Sequence, residues 1–172
     1  MKNIEIEKKY LVKISDVPFN LNGYKCLKIA QGFISLKPAL RIRKVNDKYF
    51  FAIKSKPPKS MNDKNDLVRT EYEFPIDKQT FNHLEKLCIG RFIIKDRYII
   101  PYKNGNKKYN IELDIFKNDY KGLVYAEVEF NSVKDASTFK PPSWFYKDVT
   151  GIEKYKNTSL SICKNIKSLL KY

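Results

Sequence analysis

The side chains able to do chemistry in this 172-residue chain come largely in charged groups spaced two residues apart. Glu5-x-Glu7-x-Lys9 opens the chain, and Arg41-x-Arg43, Arg69-x-Glu71-x-Glu73, Lys95-x-Arg97, Glu112-x-Asp114 and Glu127-x-Glu129 follow, with Lys54 standing alone. A spacing of two puts side chains on the same face of a strand. Like charges so placed repel, and a merely solvated face usually mixes its signs. Segregated carboxylates suit a divalent cation, which prefers oxygen ligands, and segregated cations suit phosphate. Four of the seven patterned cations (Lys9, Arg41, Arg43, Lys54, Arg69, Lys95, Arg97) are arginine, the residue matched to two-pronged phosphate contact, whereas charge elsewhere is mostly lysine.

The positions between these charges are apolar, so the elements that carry them read as strands. Ile4, Ile6, Tyr10 and Val12 face away from Glu5, Glu7 and Lys9. The same alternation predicts strands over Ile4 to Val12, Leu27 to Leu36, a run starting at Leu40, Tyr49 to Lys54, Val68 to Phe74, Phe92 to Pro101, Lys108 to Phe116 and Leu123 to Phe130. Asn46-Asp47 and Asn104-Gly105 are hairpin turns. Asp77 caps a helix that runs to about Cys88 and is stopped by Gly90, and Ser132 with Asp135 resembles a capping box. A last amphipathic helix is expected from about Thr158, with Leu160, Cys163, Ile166, Leu169 and Leu170 on one side. The polar run from Ser55 to Asp66 reads as a mobile loop at a rim.

Composition bounds the rest. At 42% hydrophobic, the chain supports one domain over residues 1–172 with its own core. No apolar run approaches a membrane span, and the charged, strand-like start is unlike a secretory leader, so the expected location is cytoplasmic. Cys26, Cys88 and Cys163 lie too far apart for a zinc knuckle and read as reduced core residues. The lone His83, in a predicted helix, gives no basis for a His-ligated metal or a His-based triad and reads as a surface residue. The net charge of +15 invites nucleic acid. Yet the patterned strands hold nearly equal numbers of acids and bases, so the surplus is scattered lysine and implies only weak electrostatic binding of nucleic acid. Monomer and homodimer both remain open.

Alternation does not say which face is inside. A sandwich with a greasy interior and a charged exterior shows the same pattern as a barrel with a charged lumen and an apolar outer wall. In the barrel, burying so many charges dry would be prohibitive, so the lumen must be wet, internally paired and filled by a charged ligand. That ligand would be a small polyanion with magnesium or manganese.

Taken together, Glu5-x-Glu7-x-Lys9, Gln31-Gly32-Phe33, Arg41-x-Arg43, Lys54, Arg69-x-Glu71-x-Glu73, Lys95-x-Arg97-Tyr98, Glu112-x-Asp114, Ala126-Glu127-Val128-Glu129-Phe130, Asp148-Val149-Thr150-Gly151 and Tyr155-Lys156-Asn157 resemble the triphosphate tunnel metalloenzymes, or CYTH superfamily, in order along nearly the whole chain. The resemblance implies a mainly β (α+β) fold: an eight-stranded antiparallel β-barrel tunnel with a charged lumen and a few helices packed outside. It implies hydrolysis of a triphosphate substrate with Mg2+ or Mn2+. Glu5, Glu7, Glu127 and Glu129 become the leading metal ligands, with Glu71, Glu73 and Asp114 as a second set. Lys9, Arg41, Arg43, Lys54, Arg69, Lys95 and Arg97 would grip phosphates, and Lys9, Glu5, Glu7, Arg41 and Arg43 would carry catalysis. Tyr146 stands where the family often has glycine. Asp148 stands where it often has glutamate and is a further metal-ligand candidate, one that would reach the metal on a shorter arm.

The expected chemistry is metal-assisted attack of water on a terminal phosphorus, with Lys9 or a neighbouring carboxylate steering the nucleophile. Inorganic triphosphate is the expected substrate, because the short chain shows no appended domain and no obvious aromatic pocket for a base or thiazole. Thiamine triphosphate, a nucleoside triphosphate and ATP cyclisation are alternatives. A non-catalytic polyphosphate- or RNA-binding module is the rival from another class.

Overall fold

A computed structural model of the chain describes residues 4–56 and 67–170. Most of the loop expected over Ser55 to Asp66 therefore lies outside the described residues. Nine antiparallel strands form one sheet: β1 (Ile4–Val12), β2 (Lys25–Leu36), β3 (Ala39–Val45), β4 (Lys48–Ser55), β5 (Val68–Ile76), β6 (Ile89–Asn104), β7 (Lys107–Phe116), β8 (Val124–Glu129) and β9 (Phe145–Asp148). Neighbours run β5-β4-β3-β2-β6-β7-β8-β1, and β5 returns to pair with β1, which closes eight strands into a barrel. The sandwich is thereby set aside.

The ninth strand, β9, was not foreseen. On the edge of β1 away from β8, Ile4 to Ile6 pair with β5, while Tyr10 to Val12 pair with β9. A strand of four residues after a proline-containing loop carries too little alternation to register in a sequence scan.

The apolar parity forms the outer wall. Ile6, Tyr10, Val12, Ile111, Leu113, Ala126 and Val128 are buried in one cluster beneath the short helix α2 (Val133–Thr138) and the segment after it. Phe139 stacks against Phe130 at 5.2 Å and Tyr109 at 5.4 Å, and Trp144 meets Phe145 edge-on at 4.6 Å. The helix α1 (Lys78–Glu85) covers the β4 side, with Phe81 5.0 Å from Tyr49. The jacket is incomplete, since Tyr72 and Phe74 on the outer face of β5 remain 41% and 42% exposed.

Capping follows the expected residues. Asp77 accepts the Thr80 N–H at 2.7 Å, and Ser132 accepts the Asp135 N–H at 3.1 Å. Three local expectations are corrected. The first helix stops at Glu85, and Gly90 sits inside β6 instead of ending that helix. The expected long C-terminal helix is a five-residue α3 (Asn157–Ser161), followed by a separate 3-10 turn at Ile166–Leu169, because its apolar residues pack across a barrel end. The cysteines are unpaired as read, but Cys26 is exposed and the other two only half-buried. His83 lies exposed on α1, as read. No helix among the described residues is long and apolar enough to cross a membrane.

The inward parity divides in two along the barrel. Toward one end it is charged. Toward the other, Leu11, Phe33, Ile93, Phe116 and Tyr125 continue the same faces and are 0–3% exposed. Tyr155, Leu160 and Leu169 pack onto them from the C-terminal segment, and the Tyr120 hydroxyl donates to the Leu160 carbonyl at 3.0 Å. Gly90 lets this segment approach: its φ is +71°, and a Cβ there would lie 2.3 Å from the Ser161 carbonyl oxygen. Fully burying side chains of this kind contributes about 1.5–3 kcal/mol each, so the end of the barrel is a fixed plug.

Candidate active site

The charged half holds a cavity lined by thirteen side chains, all polar or charged. They include Glu5, Glu7, Arg41, Arg43, Lys54, Glu71, Lys95, Arg97, Glu127 and Glu129, so ten residues expected from sequence meet at one place. Their strands bring them there by parity alone, because every second residue of β1, β3, β6 and β8 faces inward.

Pairing differs sharply around the wall. Arg97 donates from Nε and Nη2 to both oxygens of Asp114, at 2.6 and 2.7 Å, and reaches Glu127 at 2.6 Å from Nη2 and Glu112 from Nη1. Lys95 also bonds Asp114. Asp114 is 0% exposed with both oxygens in use, which makes it the anchor of Arg97 and Lys95 and leaves little of it for a metal. Burial would favour loss of the Arg97 proton, but Asp114 and Glu112 outweigh it and hold the guanidinium well above its ordinary range. Burial dominates at Lys95 and draws its ammonium down, with Asp114 opposing.

On the adjoining wall, Arg41 donates to Glu71 at 2.6 Å and Glu73 at 3.0 Å, Arg43 shares Glu73, and Lys54 bridges Glu5 at 2.9 Å and Glu71 at 3.0 Å. Lys9 pairs with Glu127 at 2.9 Å. Burial lowers the Lys9 proton affinity, but Glu127 and Glu7 more than offset this and keep the ammonium charged. Glu127 is held well below the carboxylate range: burial pushes it up, and Lys9, Lys95 and Arg97 together prevail. The Lys9 backbone is fixed too, its N–H donating to the Thr150 hydroxyl at 3.0 Å and its carbonyl accepting from Val149 N–H at 2.8 Å.

The remaining acids are short of cations. Burial, then repulsion from Glu5 and Glu127, raises Glu7. Burial also raises Glu112, against the pull of Arg97. Burial with Glu112, Glu5 and Glu7 pushes Glu129 up to about 7. This cluster of hard oxygen donors, with charge left over, fits magnesium or manganese. No three His, Cys, Asp or Glu side chains among the described residues form a ready-made metal cage.

Five expected residues are not among the lining side chains: Lys9 and Asp114, whose pairings are given above, and Arg69, Glu73 and Asp148. Arg69 is the cross-strand neighbour of Glu5 and lines a smaller cleft beside Glu7 and Lys9. Glu73 serves Arg41 and Arg43. Asp148 is exposed, opposite the outward Tyr10, and its Oδ1 accepts the Thr150 N–H at 2.9 Å, so it stabilises the loop that holds Lys9 and is not among the cavity's lining residues. Three lining residues lacked an assigned role in the sequence. Glu112 and Gln31 were visible by parity, and all three stood within the quoted motifs, Asn157 as the last residue of Tyr155-Lys156-Asn157.

Comparison with known proteins adds a second line. The chain is 33% identical over 161 residues to the inorganic triphosphatase of Nitrosomonas europaea, covering 92% of this chain and 97% of that protein. It is 31% identical over 163 residues to the inorganic triphosphatase of Acetivibrio thermocellus, covering 91% and 92%. A solved inorganic triphosphatase structure superposes with a TM-score of 0.62 at 31% identity, covering 92% of this chain and 95% of that one. No protein-family model matches the sequence.

Proposed function

The chain belongs to the triphosphate tunnel metalloenzyme family that includes these inorganic triphosphatases, and from that premise we propose that it hydrolyses inorganic triphosphate to diphosphate and phosphate with a divalent metal. The observation that carries the reading is the wholly polar cavity in which Arg41, Arg43, Lys54, Lys95 and Arg97 face a cation-poor group of carboxylates. Glu5, Glu7 and Glu129 would hold magnesium or manganese, which would supply Lewis-acid neutralisation of phosphate charge.

The chain's own groups do the rest. Arg97 and Lys95, locked by Asp114, present fixed positive charge at the inner wall. Arg41 and Arg43 are the more adaptable pair, since each is held through Nη2 and keeps other donors for phosphate oxygens. Preplaced charge of this kind stabilises the transferring phosphoryl group without reorganisation during reaction. Lys9, kept protonated by Glu127, acts as a cation and not as a base, which leaves proton acceptance from water to a carboxylate of raised proton affinity.

Phosphate release from inorganic triphosphate, thiamine triphosphate and ATP, each with magnesium, manganese or chelator, tests the reading. Inorganic triphosphate should be turned over fastest and only with metal. Undiminished turnover in chelator, or preference for an organic triphosphate, would overturn the metal or the substrate assignment respectively.

A further inference from the structure

Three exposed aliphatic side chains come together at the plug end of the barrel. Leu87, Ile89 and Ile162 are 59%, 41% and 52% exposed. Leu87 and Ile89 flank Cys88 where the chain leaves α1 and enters β6. Ile162, just past α3, lies against the next residue of β6, since a Cβ on Gly90 would sit 3.2 Å from the Ile162 Cγ2. The Arg91 guanidinium ties the two segments together by donating to the Cys163 carbonyl at 2.8 Å. Large apolar side chains left exposed side by side mark an interaction surface.

The surroundings of this knob are basic. Residues 85–91 and 161–167 carry Lys86, Arg91, Lys164 and Lys167 against Glu85 alone, and the three lysines are exposed. Arg91 also meets Asp119 at 3.4 Å. The cleft beside the plug, bounded by Leu36 and Thr158, adds five cations, Lys37 and Lys56 among them, against one acid, Glu153. Aliphatic tips ringed by lysine fit a surface that is anionic above and apolar below. Other occupants fit less well. A second copy meeting this face about a two-fold axis would set Lys86, Lys164 and Lys167 against themselves. Single-stranded nucleic acid would find no aromatic ring in the knob on which to stack a base.

We propose that the plug end of the barrel docks on an anionic lipid surface, with Leu87, Ile89 and Ile162 entering the headgroup layer and the surrounding lysines meeting the headgroups. Each lysine held near such a surface strengthens binding about fivefold. Docking by this end turns the charged half of the barrel, with Glu5, Glu112 and Glu129, toward solvent.

Sedimentation of the full chain with vesicles of phosphatidylcholine, with and without phosphatidylglycerol, tests the proposal at low and at physiological salt. The wild type should bind only the vesicles that contain phosphatidylglycerol, more tightly at low salt. Leu87→Ser with Ile162→Ser should weaken that binding on the order of 10-fold, and Lys86→Glu with Lys164→Glu on the order of 100-fold, with the melting temperature unchanged because all four side chains are exposed. Lys103→Glu with Lys108→Glu, paired at the far end of β6 and β7, should weaken it far less. No binding at low salt overturns the proposal. Binding that the serine pair leaves unchanged also overturns it, since a film held by scattered lysines needs no knob. Self-association, or binding of single-stranded RNA, that the serine pair abolishes would give the knob to a second copy or to nucleic acid and would overturn the lipid assignment.

Discussion

The two halves of the barrel interior are built from the same strands and the same inward parity, yet they obey opposite rules. On β1, Glu5, Glu7 and Lys9 are followed by Leu11, on β7 Glu112 and Asp114 by Phe116, on β8 Glu127 is preceded by Tyr125, and on β6 Lys95 by Ile93. In the plug, stability comes from excluded water and close packing. In the cavity, acids and bases nearly balance but pair unevenly, Arg97 bonding three carboxylates while burial and neighbouring acids raise Glu7 and Glu129. The lesson is that a barrel can hold a destabilising site when the remainder of its interior is packed to hold the walls in place.

Substitutions should separate the halves, most sharply where packing alone acts. Phe116→Ala, at 1% exposure, should cost about 3–5 kcal/mol in denaturant unfolding. Asp114, at the boundary, tests whether it belongs to the plug's rules or the cavity's. Asp114→Asn should cost about 3–5 kcal/mol because it strips a fully buried partner from Arg97 and Lys95. If added magnesium stabilises the folded Asn variant far less than the wild type, Asp114 is a metal ligand after all.

Within the cavity, Arg41→Ala or Arg43→Ala should lower kcat on the order of 100- to 1000-fold while leaving the unfolding midpoint nearly in place. Wild-type rates in either would break the assignment of the charged half. A smaller effect is expected from metal alone: magnesium without substrate should raise the melting temperature of the wild type, and raise it less in Glu5→Gln or Glu7→Gln. An equal rise in all three would move the metal elsewhere.

Much of this division was legible. The parity of Glu5, Glu7, Lys95, Arg97, Glu127 and Glu129 marked an inward face, and order along the chain pointed to the barrel. What parity does not encode is where along a strand the lumen stops. Phe33 shares a face with Gln31, and Leu11 with Lys9, but an apolar residue on a charged face reads as noise until the neighbouring strands are aligned. Asp114 and Asp148 stand apart from the other expected metal ligands for different reasons. Asp114 has the right face, but a depth at which Arg97 takes both its oxygens. Asp148 lies on β9, a strand that no period announced, and faces outward opposite Tyr10.

The smallest expected effect contrasts the halves most cleanly, because only one of them titrates. Glu129 has a folded value of about 7 against an ordinary 4.5. Between those values the folded protein keeps a proton that the unfolded chain has already lost, so raising the pH favours unfolding. Metal-free protein should therefore lose melting temperature from about pH 5 to about pH 8, and Glu129→Gln should reduce that slope, leaving the part that Glu7 and Glu112, also raised, contribute. Glu127 does not interfere: its depressed value makes its contribution present above 4.5 and lost only in acid. Magnesium should flatten the wild-type slope as the substitution does, since either one relieves the same repulsion. Phe116→Ala, by contrast, should lower the whole curve without changing its slope. A slope that followed Phe116 and ignored Glu129 would mean that the two halves are not energetically separate.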